Sequence, residues 1–128
     1  MILADTSVWI DHLRAPEKAV DALFKYGALL MHPFVLGELA MGNLRHRKRW
    51  LRKLQNMPQA NIASLSLVQD FIESHALYGS GIGYIDAHLL AATSLLPGTL
   101  LWTRDKRLHA IGQRLQLAAD IPRSEARR

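Results

Sequence analysis

The stretch Ile2-Leu3-Ala4-Asp5-Thr6-Ser7-Val8-Trp9-Ile10 decides the fold. A short apolar run that stops at an acid reads as a buried strand, with its carboxyl end placed where polar groups collect. Thr6 and Ser7 then offer N-cap chemistry for a helical turn through Val8, Trp9, Ile10 and Leu13. Strand, acid and helix follow one another without a spacer, and the same alternation recurs along the chain. That is the pattern of helices layered on a mostly parallel sheet.

Working outward, Pro16 opens a helix to about Tyr26, with Gly27 where a left-handed residue is cheapest. Ala28 to Met31 is the next strand. Pro33 restarts a helix carrying Val35, Leu36, Leu39 and Ala40, and Arg45 to Gln55 forms another, turned back near Gly42-Asn43. Ile62 to Leu65 reads as a strand, and Ser66 as the cap of a helix to about Leu77. A Gly-rich loop, Gly79 to Gly83, precedes a helix from Tyr84 to Leu95. Pro97-Gly98 turns the chain into a central strand, Thr99 to Thr103. A helix from Arg107 to Arg114 and an edge strand at Leu115 to Leu117 complete the pattern. One domain over residues 1–120 is expected, with 121–128 a basic, disordered tail.

Of the 128 residues, 49% are hydrophobic, enough for a single core, and none is cysteine. Disulfides and thiolate metal sites are thereby excluded, in keeping with a reducing cytoplasm. The start lacks the basic flank of a signal peptide, and the apolar stretch Ala87 to Trp102 is broken by Pro97-Gly98, so no membrane span is expected. A net charge of +5 favours a polyanionic partner.

Four acids, Asp5, Glu38, Asp86 and Asp105, sit where a sheet-based site would place them. Asp5 ends the first strand, Asp105 lies two residues past the last strong one, and Asp86 and Glu38 stand early in helices. Asp5, Glu38 and Asp86 have apolar flanks, such as Leu36-Gly37-Glu38-Leu39-Ala40 and Gly83-Tyr84-Ile85-Asp86-Ala87. Carboxylates there are costly unless paired or bound to metal. Asp11, Glu17, Asp21, Asp70, Glu73, Asp120 and Glu125 have polar or basic neighbours and read as solvated. Helix capping, a turn acid and a buried ion pair are the alternative roles for the four. Hard oxygen ligands select Mg²⁺ or Mn²⁺, and such a site suits phosphoryl transfer. Thr103, Thr6 or Ser7 could orient a carboxylate by donating a hydrogen bond.

These segments resemble the PIN-domain nucleases, specifically the toxins of VapBC-type toxin–antitoxin pairs. The matching motifs are Ala4-Asp5-Thr6-Ser7-Val8-Trp9-Ile10, Gly37-Glu38-Leu39, Gly83-Tyr84-Ile85-Asp86-Ala87-His88, and Leu101-Trp102-Thr103-Arg104-Asp105-Lys106-Arg107-Leu108. The resemblance implies a three-layer α/β/α sandwich, Mg²⁺- or Mn²⁺-dependent RNA cleavage, homodimerisation and a cognate antitoxin partner. It places the metal-binding and catalytic acids at Asp5, Glu38, Asp86 and Asp105, and supporting hydroxyls at Thr6 and Thr103. Some relatives carry a further acid where this chain has Lys106 and Arg107, which leaves one cation or two open.

Arg45, Arg47, Lys48 and Arg49 crowd one helix with Trp50 and are expected to clamp an RNA backbone. Arg104, Lys106 and Arg107 flank an acid of the cluster and are expected to touch phosphate. Trp9, Leu13, Trp50 and Leu54 are read as exposed, able to receive an apolar helix of a partner. The histidines show no zinc spacing, and His88 is assigned a structural or peripheral role. A receiver domain would need an acidic pair after the first strand, and a haloacid-dehalogenase-like phosphatase would need an acid where Ser7 stands. A non-catalytic RNA-binding module, or a housekeeping nuclease of the same fold, remains the competing reading.

Overall fold

The computed structural model describes residues 1–123. Three strands, β1 (Ile2–Ala4), β2 (Leu29–Leu30) and β3 (Leu100–Trp102), form a parallel sheet in the order β2-β1-β3. The register pairs Leu3 with Leu30 on one side and with Leu101 on the other. Isolated parallel bridges, Met31 to Gln59 and Leu101 to Ala118, extend the sheet at both edges. β3 therefore has neighbours on both sides, as its apolar sequence requires.

Seven helices occupy the described connections: α1 (Thr6–Arg14), α2 (Lys18–Lys25), α3 (Pro33–Ala40), α4 (Arg47–Gln55), α5 (Leu65–Ser74), α6 (Tyr84–Ser94) and α7 (Lys106–Arg114). The chain steps from β1 to β2 and on to Gln59, then returns across the sheet to β3 and steps away to Ala118. Because parallel crossovers are right-handed, this reversal sends α1–α4 to one face and α5–α7 to the other. The contacts agree: α1 packs on α3 and α3 on α4, whereas α5 packs on α6 and α6 on β3. The result is the expected α/β/α sandwich, and its topological switch point lies between β1 and β3. Ligands of such sheets collect beyond the carboxyl ends of the strands at that point.

The core follows from the apolar runs. Leu3, Ala4, Met31 and Leu101 of the sheet region are buried, as are Val8, Trp9, Val35, Leu39 and Leu54 of the helices. Each such large side chain contributes roughly 1.5–3 kcal/mol by leaving water. Trp9 and Leu54 are thus core residues and not docking positions; α1 and α3–α4 turn these side chains inward, while Leu13 and Trp50 are only half-buried. Gly27 ends α2 with φ +66°, the left-handed backbone anticipated for it.

Several elements differ from the sequence reading. Ile62 to Leu65 is not a strand; the sheet is met earlier, at Gln59, and Ser64, not Ser66, caps α5 by accepting from the Leu67 amide. The last edge pairing centres on Ala118, just past the expected strand, with Leu101 N–H donating to Leu117 O and Ala119 N–H to Leu101 O, because Leu115 and Gln116 form the turn that ends α7. Ile121 packs against the core and Arg123 donates to Asp11 at 3.2 Å, so the chain stays attached past residue 120. The rest of the expected tail, Glu125 included, lies outside the described residues. Among the described residues no helix is long and apolar enough to cross a membrane.

Candidate active site

Asp5 is the first residue after β1 and the N-cap of α1, its Oδ1 accepting from the Val8 amide at 3.4 Å. Asp5, and not Thr6 or Ser7 as expected, therefore caps the helix, and the hydroxyls of Thr6 and Ser7 are turned to carboxylates. Ser7 Oγ donates to Asp5 Oδ1 at 2.5 Å, and Thr103 Oγ1, at the end of β3, donates to Asp5 Oδ2 at 2.5 Å. Both oxygens of a carboxylate only 5% exposed are thereby fixed. Thr6 Oγ1 donates to Glu38 Oε1 at 2.6 Å, joining α1 to α3.

Asp105 caps α7 through the Leu108 amide at 3.0 Å, and its own amide donates to Thr103 Oγ1. Asp86 stands in the first turn of α6, where its Oδ2 accepts from the Gly83 amide at 3.1 Å. Helix N-termini favour such charges; capping, the alternative role weighed for Asp5 and Asp86, is real for both, and Asp105, weighed as a turn acid, caps α7 as well. It does not account for their convergence. Burial raises the Asp86 carboxyl above its ordinary range, and the charges of Asp5, Asp105 and Glu38 push it further the same way. Asp5 is raised too, by burial, against the lowering effect of its hydroxyl partners. Asp86 therefore stands in the field of the other three acids.

None of the ion pairs among the described residues includes any of the four. Glu38 is exposed, so the buried ion pair weighed for it does not form; its partner is the Thr6 hydroxyl. The buried pair belongs instead to Glu17, an acid whose polar neighbours in sequence predict a solvated side chain. Glu17 is 3% exposed and accepts two bonds from Arg104, which also reaches Asp11 at 2.8 Å. Arg104 is consequently corrected from a phosphate contact to an internal tie, its guanidinium spent on α1 and the start of α2. Its amide donates to Ser7 Oγ at 3.0 Å, linking that tie to the hydroxyl that holds Asp5. Glu17 could not be found by local composition, because its partner lies 87 positions away.

A divalent cation suits this donor set: four oxygen-only side chains, three of them raising the carboxyl of the fourth, Asp86, with no basic side chain paired to them among the described residues. Among the described residues no three already form a ligating array, so the side chains would have to draw inward around an ion. Of the basic segment, Arg45 lies in the turn before α4, which starts at Arg47 and not at Arg45 as expected; Arg45, Lys48 and Arg49 are exposed, while Arg47 donates twice to Ala40 O and closes the C-terminus of α3. Lys106 and Arg107 are exposed in the first turn of α7. His88 is fully buried among the rings of Phe34 and Tyr84, in keeping with a structural role.

A doubly wound sheet with four carboxylates at its switch point defines a class of metal-dependent phosphoryl-transfer domains. The family model of the PIN domain matches residues 2–113, and the chain belongs to that family. It is 42% identical over 110 residues to Ribonuclease VapC32 of Mycobacterium tuberculosis, from strains CDC 1551 / Oshkosh and ATCC 25618 / H37Rv, spanning 86% of this chain and 89% of the relative. The crystal structure of PAE2754 from Pyrobaculum aerophilum shares the fold, with TM-score 0.64 at 18% identity, over 93% of this chain and 87% of that one.

Proposed function

We propose that this chain is a Mg²⁺- or Mn²⁺-dependent ribonuclease that hydrolyses RNA phosphodiester bonds as the toxin of a toxin–antitoxin pair. The observation that carries the reading is the approach of Asp5, Glu38 and Asp105 to Asp86, with no ion pair to any of the four among the described residues. Membership of the PIN family and the likeness to a relative named a ribonuclease support it. A bound divalent cation would supply an activated water and neutralise charge on the phosphate. The chain's own part is orientation. Ser7 and Thr103 fix the two Asp5 oxygens, Thr6 fixes Glu38, and the Gly83 amide holds Asp86. Lys106, Arg107 and the exposed cations Arg45, Lys48 and Arg49 would receive the RNA backbone.

The same reading expects a cognate antitoxin, a homodimer and a cytoplasmic location. Co-expression with the product of an adjacent small gene tests the first, and light scattering of the purified chain the second. For the activity itself, a labelled single-stranded RNA is incubated with the protein in Mg²⁺ or Mn²⁺, and again in excess chelator. Cleavage is expected only with the cation; undiminished cleavage in chelator, with contaminating nuclease excluded, contradicts the reading. A non-catalytic RNA-binding module has no specific observation in its favour, because binding alone requires no cluster of unpaired carboxylates.

A further inference from the structure

Arg107 and Gly81 touch across the mouth of the site. Arg107 is the second residue of α7, two beyond Asp105, and its side chain lies over Gly81 in the loop before α6. A methyl group at Gly81 would stand 2.8 Å from Arg107 Nη1, 2.9 Å from Cδ and 3.3 Å from Cζ. Contacts that short force the exposed end of Arg107 to move away, so the arginine keeps this seat only over glycine. The backbone demands glycine independently, with φ +92°.

The contact joins the two halves of the site. Gly81 lies two residues before Gly83, whose amide holds Asp86, and Arg107 two residues after Asp105. Arg107 is exposed and takes part in no ion pair among the described residues. Arg104, three positions earlier, is spent on Asp11 and Glu17. A guanidinium braced on one side by a backbone surface keeps its outward N–H groups free and loses little freedom when an anion arrives. The neighbouring carboxylates repel a polyanion, so a fixed cation at their edge is where an RNA strand can be anchored.

We infer that Arg107, seated on Gly81, is a binding site for one phosphodiester of the RNA strand beside the scissile bond, with Gly81 as its positioning residue. This rests on the ribonuclease reading above. The guanidinium would take the two non-bridging oxygens of the phosphate in paired hydrogen bonds, a geometry that lysine does not reproduce.

The test measures kcat and KM on a single-stranded oligoribonucleotide in Mn²⁺ at several salt concentrations, for wild type, Arg107→Met, Arg107→Lys and Gly81→Ala. For Arg107→Met, KM is expected to rise about tenfold, more than kcat falls. The slope of log KM against log salt should drop by about 0.7, one phosphate contact on a single strand. Arg107→Lys should restore the slope but not the full KM. Gly81→Ala should raise KM in the wild-type background and add nothing to Arg107→Met. Should Gly81→Ala fail to fold at its positive φ, the two Arg107 variants decide alone. A wild type that cleaves, with an Arg107→Met of unchanged KM and salt slope, overturns the phosphate seat and leaves the nuclease reading standing. A loss confined to kcat and melting temperature also overturns it, as mere loop packing. A wild type that leaves the RNA intact overturns both.

Discussion

Asp86 holds the Gly83 amide with Oδ2 while standing in the field of Asp5, Asp105 and Glu38. Asparagine in its place keeps an acceptor for that amide and removes the charge. Asp86→Asn is therefore expected to lower cleavage by at least about 100-fold, the lower range for a single catalytic group. It should leave the melting temperature in chelator equal to or above that of wild type, since one repelling charge has gone. Thermal melts check this, and a clear drop would assign Asp86 to helix capping alone. His32 carries a second residue-scale expectation. It is fully buried, its Nδ1 accepts from the Phe34 amide, and burial, with the nearby His88, lowers it from 6.5 to about 4. The fold thus favours neutral His32: its contribution is complete above pH 6.5 and is lost as pH falls towards 4. The loss is at most about 3 kcal/mol. Urea unfolding at pH 7 and pH 4.5 should show a shallower acid loss in His32→Asn, which retains capping ability, than in wild type; equal losses would contradict the assignment.

The tie between Arg104 and Glu17 joins the end of β3 to the start of α2, and the Arg104 amide continues it to Ser7. Glu17→Gln leaves a buried guanidinium poorly matched, at a cost of about 3 kcal/mol, visible as a lower denaturant midpoint. Wild-type stability in that variant would show the pair to be dispensable. On α4 and the turn before it, Arg47 and its neighbours part company. Arg47→Ala should cost about 1 kcal/mol through the exposed α3 carbonyl. Alanine at Arg45, Lys48 and Arg49 should instead flatten the salt dependence of RNA binding with little effect on stability. An unchanged slope would detach α4 from RNA. The same elements show what the sequence made legible. Apolar flanks exposed Asp5 and Asp86 as unusual acids, because strand ends and helix first turns are set locally. Glu17 and Arg104 were misread because their pairing spans the chain, and the sheet edges at Gln59 and Ala118 because single bridges carry little periodic signal.

At the scale of the whole molecule, the reversal of strand order between β1 and β3 brings four carboxylates from distant segments to one mouth. The sheet holds Asp5 and orients it through Thr103, while α3, α6 and α7 deliver Glu38, Asp86 and Asp105. An arrangement that repels itself is sustained by the apolar core beneath it, in which Leu3, Met31, Leu89, Leu90 and Leu101 are buried. Cation binding to the folded state alone should raise stability by mass action, about 2.7 kcal/mol at a hundredfold excess over Kd. The central claim is that these four side chains together hold the divalent ion used in RNA hydrolysis. Its most direct test is a Mn²⁺ titration, followed by electron paramagnetic resonance of the free ion, of wild type and of the Asp5→Asn, Glu38→Gln, Asp86→Asn and Asp105→Asn proteins. Saturable uptake by wild type, with binding weakened in every one of the four variants, is the predicted result; no uptake, or uptake equal in all five proteins, would contradict it.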